Sequence, residues 1–267
     1  MKILMCGDIV GRAGREVVLK ELPKLIKTEN IQFVVINGEN AASGFGITKK
    51  ICEELYAIGV DVITSGNHIW DQKEIVEYMV NDKRLLRPCN YPKNSPGNGF
   101  GVFKLKSGNI AIVINVMCRL FMDSIDNPFD SVDEIIETMK KKFSNSIIIV
   151  DIHGESTSEK MALAHFLDGR VTAIFGTHTH VPTADLQILE KGSFFQTDLG
   201  MCGDYDSVIG MNKEMAVLRF THKHIKSRLQ PANGNGTLCG TIIEVDSSSM
   251  RVIRFDQIFK GGKLHKN

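Results

Sequence analysis

The stretch KILMCGDIVG (2–11) shows how the first part of the chain is organised. A short apolar run is followed at once by Gly7 and Asp8, and residues 14–29 then place apolar side chains at helical spacing, interrupted by Pro23. The same succession recurs along the next segments: strands are predicted at 32–38 and 60–67, and helices at 48–59 and 71–82. This alternation indicates a parallel sheet flanked by helices.

The second half adds segments typical of antiparallel strands. Residues 99–116 predict a hairpin with Ser-Gly-Asn at its turn. Further elements follow in order: helices at 131–143 and 158–169, and strands at 146–154 and 171–180. The remainder, including MAVLRFTH (215–222), is predicted to be β-structure. With no internal repeat and no linker, we expect one α/β domain over residues 1–267 with two mixed sheets.

Side chains of metal-ligand type stand where the predicted strands end. Five apolar runs finish in such residues, usually beside a glycine: Asp8, Glu39 with Asn40, Asn67 with His68, His153, and His178 with His180. Because the carboxyl ends of parallel strands share one edge of an α/β sheet, these side chains can converge on one crevice. Oxygen and imidazole ligands without a thiolate suit Mn, Fe, Zn, Ni or Co, and this set is about right for two ions.

Each of these residues alone has an ordinary structural explanation. An Asp after a strand is often a helix cap, an Asn is often a turn residue, and a lone His is often a hydrogen-bonded core residue. A second His-x-His pair, His222 and His224, lies in the basic segment 221–228 without a nearby carboxylate, and we assign it to the surface. The shared metal site is predicted because ligand types occur at five strand ends in succession.

The overall composition argues against several classes of protein. The 267 residues carry a formal net charge of +1, so neither nucleic acid as a stable partner nor a membrane is expected. Six cysteines are scattered without a C-x-x-C pair, which is typical of reduced thiols. The first apolar run is too short for a signal peptide, and no stretch reaches transmembrane length. We therefore predict a cytoplasmic protein.

Several motifs, taken in order, resemble those of a known family. They are GDIVG (7–11), NGENAASGFGIT (37–48), SGNHIWD (65–71), DIHGE (151–155), GTHTHVPTAD (176–185) and TDLGMCGDYDSVIGM (197–211). This series resembles the calcineurin-like metallophosphoesterase superfamily and, more narrowly, the bacterial YmdB-like phosphodiesterases. The resemblance covers essentially the whole chain. It implies a four-layer α-β-β-α sandwich, in which two mixed sheets pack together with helices outside.

The resemblance also implies a dinuclear metal centre. Asp8, Glu39, Asn40 and His180 would hold the first ion, while Glu39 would bridge to a second ion held with Asn67, His153 and His178. His68, next to a ligand but not itself one, would be the catalytic acid. The chain departs from the wider superfamily at Val10, where many members have His, and at Glu39, where many have a bridging Asp. Both departures fit the narrower family, which suggests iron, with manganese as a plausible substitute.

The activity implied by the resemblance is hydrolysis of phosphodiesters by in-line attack of a metal-bound hydroxide. Small-molecule substrates such as 2′,3′-cyclic or 3′,5′-cyclic AMP are expected, and a homo-oligomer is possible. Two alternatives remain open from the sequence. One is a phosphomonoesterase or nucleotidase on the same scaffold. The other is a regulatory metal-binding protein that acts through an RNA or protein partner.

Overall fold

The computed structural model describes residues 1–222, 224 and 229–265, and the remaining part of the basic segment 221–228 lies outside these residues. Within the described ranges the strands are β1 (Lys2–Cys6), β2 (Asp8–Ile9), β3 (Phe33–Asn37), β4 (Val62–Thr64), β5 (Phe100–Lys104), β6 (Ile110–Met117), β7 (Ser146–His153), β8 (Ala173–Thr177), β9 (Gln187–Ile188), β10 (Phe194–Gln196), β11 (Met201–Asp204), β12 (Gly236–Val245) and β13 (Val252–Gly261). The helices are α1 (Gly11–Glu29), α2 (Lys49–Ala57), α3 (Ile75–Asn81), α4 (Pro128–Lys142), α5 (Thr157–Leu167) and α6 (Lys213–Thr221).

Two mixed sheets form the centre of the protein. The first has the order β2-β11-β12-β1-β3-β4, with β13 paired to β12, and the second has the order β5-β6-β7-β8-β10-β9. Strands β1, β3 and β4 run parallel in the first sheet, and β6, β7, β8 and β10 run parallel in the second. The predicted hairpin is confirmed, because β5 and β6 pair antiparallel.

The two sheets stack face to face because the strands alternate their side chains between two apolar layers. In β1, Ile3 and Met5 pack in the core between the sheets, while Leu4 and Cys6 pack against the helices outside the first sheet. The outer face of the second sheet packs against α4 and α5 through residues such as Ile136. A period of two places successive side chains on opposite faces of a strand. The predicted four-layer sandwich of two mixed sheets is therefore confirmed.

One predicted element is wrong. The sequence predicts β-structure for MAVLRFTH (215–222), but its residues up to Thr221 belong to α6. The side chain of Asn212 accepts a hydrogen bond from the Met215 amide and caps the first turn, which favours a helix. Val217 and Phe220 are exposed, so the apolar residues that suggest a strand do not mark a buried face. Pro23, by contrast, lies inside an uninterrupted α1.

No helix within the described residues has the length and apolar character required to cross a bilayer.

Candidate metal centre

The parallel strands of both sheets bring their carboxyl ends to one place. Asp8 begins β2 just after β1, Glu39 and Asn40 follow β3, and Asn67 follows β4. His153 ends β7, and the His178–His180 loop follows β8. Contacts between side chains of the two sheets show that these ends meet: Asn37 Nδ2 lies 3.2 Å from Asp151 Oδ2. The structure thus collects the seven predicted ligands around one buried crevice.

The densest part of the crevice surrounds Nε2 of His153. This atom lies 2.8 Å from Glu39 Oε2, 3.0 Å from His178 Nδ1 and 3.3 Å from Asn67 Oδ1. Ligand atoms of Glu39, His153 and His178 all lie within 4.8 Å of one another, which suits a single metal ion. These three residues and Asn67 are the set that the family resemblance assigns to the second ion.

The hydrogen bonds of the His153 and His178 imidazoles leave lone pairs, rather than protons, on the two ring nitrogens that face each other. His153 Nδ1 lies 2.9 Å from the Thr177 hydroxyl, which itself donates to Asp151 Oδ1, so the hydroxyl accepts from Nδ1–H. His178 Nε2 lies 3.2 Å from Glu155 Oε2 and is placed to donate to it. The remaining nitrogens, His153 Nε2 and His178 Nδ1, then face each other as acceptors. Such an arrangement of acceptors is stabilised by a cation.

A second group of acceptors adjoins the first. His180 Nε2 lies 3.2 Å from the Asn40 carboxamide and 4.0 Å from Asp8 Oδ1. Nδ1 of His180 is 2.7 Å from the carbonyl oxygen of Ile209 and donates to it, so Nε2 is the acceptor and receives the hydrogen bond from Asn40 Nδ2. With Glu39 between the groups, these residues form the set that the resemblance assigns to the first ion.

Buried oxygens without a donor support the fit of a cation. Within the described residues, Asp8 Oδ1, Asn40 Oδ1 and both carboxylate oxygens of Glu39 are buried and receive no hydrogen bond. An unsatisfied buried oxygen normally costs about 1–3 kcal/mol, and more when it is charged. Four such atoms in one crevice indicate a place where a positive ion completes the structure. The residues present therefore fit a metal centre.

Burial shifts the pKa values of these groups so that both the carboxyl groups and the imidazoles favour their neutral forms. Burial, followed by the charges of Asp198 and Glu39, raises the pKa of Asp8 well above its usual range. Burial raises the pKa of Glu39 to about 7 and lowers the pKa of His178 to about 2. It also places the pKa of His153 well below its usual value. Neutral imidazoles are ready to bind a metal, whereas the carboxyl groups must first lose their protons.

Backbone geometry at the crevice is unusual in two places. A Cβ atom on Gly66 would collide with the Glu39 carboxylate and the His153 ring, so the close packing of these ligands requires glycine. His178 and His180 adopt positive φ angles of 99° and 66°, in a region that side chains other than glycine rarely occupy. Each such residue costs about 1–3 kcal/mol, and the surrounding structure must hold it in place.

His68 stands apart from the clustered ligands. Its Nδ1 lies 2.9 Å from Asp71 Oδ2, its ring packs edge-to-face against Phe45, and its side chain is 31% exposed. Asp71 therefore orients the ring and directs its Nδ1–H, which leaves Nε2 for exchange of a proton with a substrate. This position, beside Asn67 and open to solvent, is compatible with the predicted role of proton donor.

Sequence reasoning missed four polar residues that support the ligands: Thr177, Asp151, Lys160 and Asp198. Three of them carry a detectable signal. Lys160 takes a core position of α5, in register with Leu163 and Leu167, where an apolar residue is expected. Asp198 follows β10 near Gly200, the same pattern that marks the other strand-end carboxylates. Asp151 likewise interrupts an otherwise apolar strand.

Comparison with known proteins identifies the family. A family profile described as "YmdB-like protein" matches residues 4–258. The chain belongs to the YmdB-like family. It is also 42% identical over 258 residues to a Bacillus subtilis protein named 2′,3′-cyclic-nucleotide 2′-phosphodiesterase, and the match covers 97% of this chain and 96% of that protein. The chain is accordingly a phosphoesterase, a hydrolase of the metallophosphoesterase type.

Solved structures show the same fold. A Thermus thermophilus protein superposes with a TM-score of 0.91 at 36% identity and covers 98% of this chain and 100% of its own. A structure described as a novel phosphatase, from Mycoplasma pneumoniae, superposes with a TM-score of 0.89 at 36% identity. It covers 98% of this chain and 93% of its own. These matches extend over both sheets and therefore over the whole crevice.

The requirement for glycine at position 66 can be tested directly. We expect Gly66→Ala to weaken Mn²⁺ binding by at least about tenfold, because the methyl group displaces Glu39 and His153. The affinity is measured by isothermal titration calorimetry, in which Mn²⁺ is added to protein that has been stripped of metal with a chelator. Gly108→Ala is the control: it lies in the hairpin turn, where a Cβ meets nothing within 4 Å, and its strained φ affects stability alone. Equal affinities in the two variants would contradict the packing argument.

Metal affinity should also depend on pH. Because burial raises the pKa of Glu39 to about 7, a proton competes with the metal below that pH, and affinity falls by about tenfold per pH unit for each proton displaced. His178, with its pKa lowered to about 2, adds no competing proton in this range. Titrations with Mn²⁺ at pH 6 and pH 8, in buffers of different ionisation enthalpy, count the protons released. A pH-independent affinity would show that metal binding displaces no proton from Glu39 between pH 6 and pH 8.

Proposed function

We propose that the protein is a dimetal phosphodiesterase that hydrolyses cyclic nucleotides. The first ion would be held by Asp8, Glu39, Asn40 and His180, and the second by Glu39, Asn67, His153 and His178. Glu39 would bridge them. The observation that carries this proposal is the group of buried oxygens without donors, which adjoins the facing lone pairs of His153 Nε2 and His178 Nδ1.

The balance of buried charge favours two ions over one. Among the described residues, the carboxylates buried in and beneath the crevice are Asp8, Glu39, Asp151 and Asp198, and the buried cation beside them is Lys160. These charges sum to −3, so one divalent ion would leave −1 and two would leave +1. Two ions would therefore give a positive centre that an anionic phosphodiester can neutralise, which matters because buried charge is costly unless it is paired.

The ligand chemistry suits iron or manganese. The set contains carboxylate and carboxamide oxygens and imidazole nitrogens, with no thiolate, and such ligands are used for both metals. When bound, the cations would supply Lewis acidity: they would offset charge on the phosphoryl oxygens and make water a stronger acid near neutral pH.

The residues of the chain would then orient the ester and move one proton. His68, held through Nδ1 by Asp71, would donate a proton from Nε2 to the departing alkoxide oxygen. Phe45, whose ring contacts His68, would limit the rotation of that imidazole. The partial exposure of His68 leaves room for the nucleoside side of the substrate.

The choice of substrate rests on the relationship to the B. subtilis protein named 2′,3′-cyclic-nucleotide 2′-phosphodiesterase. A 2′,3′-cyclic nucleotide is therefore the first substrate class that we propose, and a 3′,5′-cyclic nucleotide is the second. Both are phosphodiesters whose cleavage releases an alkoxide, so both would need the proton that His68 is placed to donate.

A direct assay separates this proposal from its alternatives. After chelation, the protein is resupplied with Mn²⁺ or Fe²⁺ and assayed on bis-p-nitrophenyl phosphate beside p-nitrophenyl phosphate. We expect metal-dependent cleavage that favours the diester, followed by turnover of 2′,3′-cyclic AMP. Faster cleavage of the monoester would instead favour a phosphomonoesterase. Bound metal without turnover of either compound would favour a regulatory metal-binding protein.

The proposed role of His68 predicts a dependence on the leaving group. His68→Ala should slow hydrolysis of 2′,3′-cyclic AMP by about 10²–10⁴-fold, because the alkoxide leaves without a proton donor. Hydrolysis of bis-p-nitrophenyl phosphate should fall far less, since nitrophenolate needs no proton, and Mn²⁺ stoichiometry should be unchanged. His165→Ala, an exposed histidine on α5, is the control. Equal losses on both substrates would remove His68 from this role.

A further inference from the structure

Lys160 is a fully buried lysine beneath the candidate metal centre. It lies on α5, and its Nζ donates to the carbonyl oxygen of Thr177 at 2.7 Å and to Asp198 Oδ2 at 2.9 Å. Lysine is almost never fully buried unless it is paired, because removing its charge from water is costly. An unusual residue is therefore placed directly under the loop that carries His178 and His180.

Asp198 extends the contact from the lysine into that loop. The same Oδ2 that receives Lys160 also accepts a hydrogen bond from the Thr179 amide at 3.0 Å, and Oδ1 accepts from the Gly200 amide at 2.9 Å. Between these contacts, the His178 amide donates to Asp8 Oδ2 at 3.1 Å. Three consecutive residues, Thr177 at the end of β8 and then His178 and Thr179 in the loop, are thus each held by one charged side chain.

These contacts act where the backbone is least favourable. His178 and His180 both have positive φ angles, and an unrestrained loop would relax away from them. The strained conformation directs His178 Nδ1 toward His153 and His180 Nε2 toward Asn40. One loop therefore supplies a ligand to each of the two proposed ions, and its conformation sets both at once.

We propose that Lys160 and Asp198 form a positioning pair that holds the His178–His180 loop in its ligand-binding conformation. This inference rests on the proposed function, since it assumes that both histidines bind metal. The hydrogen bonds of the pair reach the backbone of Thr177, Thr179 and Gly200 rather than a ligand atom. The effect of the pair is exerted through the backbone of Thr177 and Thr179.

A pair that only stabilised the fold would behave differently. It would change the free energy of unfolding without changing metal affinity in the folded protein. A positioning pair must change the affinity of both metal sites together, because one loop serves both. Replacing either loop histidine, His178 or His180, should weaken mainly one binding step.

The test uses Lys160→Met/Asp198→Asn, which removes one positive and one negative charge and leaves the net charge of the centre unchanged. Keeping the net charge constant limits the electrostatic contribution to any change in affinity. The protein is first stripped of metal with a chelator, and calorimetric titration with Mn²⁺ then gives the two stepwise dissociation constants. We expect both to rise by at least tenfold, whereas His178→Ala and His180→Ala should each raise mainly one.

The matched control is Ser193→Ala at the opposite end of β10. Ser193 is buried, donates to the Val171 carbonyl oxygen at 2.6 Å and accepts from the Gly169 amide at 2.9 Å. Its loss should lower the stability while leaving both Mn²⁺ dissociation constants within twofold of the wild type. Circular dichroism shows whether each variant is folded at the temperature of the titration. If Lys160→Met/Asp198→Asn is unfolded at that temperature, Lys160→Gln/Asp198→Asn is titrated in its place, because glutamine retains a hydrogen-bond donor at position 160.

The possible results are distinct. Weakening of both steps in a folded charge-neutral variant, but not in Ser193→Ala, supports the positioning role. Wild-type dissociation constants in that folded variant overturn it while leaving the proposed function intact. Failure of the wild-type protein to bind Mn²⁺ or Fe²⁺ overturns the proposed function, and the positioning role with it.

Discussion

The carboxylate of Asp151 joins the two sheets at the edge where the candidate ligands meet. Its Oδ2 accepts hydrogen bonds from Thr64 at 2.5 Å and from Asn37 at 3.2 Å, both in the first sheet. Its Oδ1 accepts from Thr177 at 2.7 Å, in the second sheet. Burial raises the pKa of Asp151 to about 6, while these donors favour the ionised form. Asp151 thus adds a polar contact to the apolar stacking of the sheets and, through Thr177, fixes the orientation of His153.

The crevice next to Asp151 contains groups that a protein interior normally excludes. Unpaired carboxylate oxygens and facing imidazole lone pairs destabilise a fold unless cations complete them. Metal binding would thus contribute to the stability of the folded state as well as to chemistry. The rest of the molecule compensates for this cost with three apolar cores, two outside the sheets and one between them. Rigid, buried strands are what allow the unfavourable groups to stay close together.

The periodicity of apolar residues predicted those helices and strands in which the apolar face of the pattern is the face that is buried. The strands that begin the chain and the helices with one apolar face appear as expected, because a side chain's burial follows its position along the repeat. The pattern failed at α6, where Val217, Leu218 and Phe220 are exposed and where Asn212 caps the first turn. It also gave no role to Lys160, since its partner Asp198 lies 38 residues away in the chain. Single-domain organisation and cytoplasmic location stay predictions.

The sequence by itself determined the succession of strands and helices and the placing of ligand types at strand ends, because both are local properties of the chain. Only the tertiary structure decided which ends meet. Strand β12 inserts beside β1 although the two are far apart in the chain, and Asp8 then lies against the loop of His178. Such pairings depend on how two sheets bury their apolar faces together, and they cannot be predicted from the local periodicity of the sequence. The same dependence explains why the supporting charges of the centre became visible only in the folded protein.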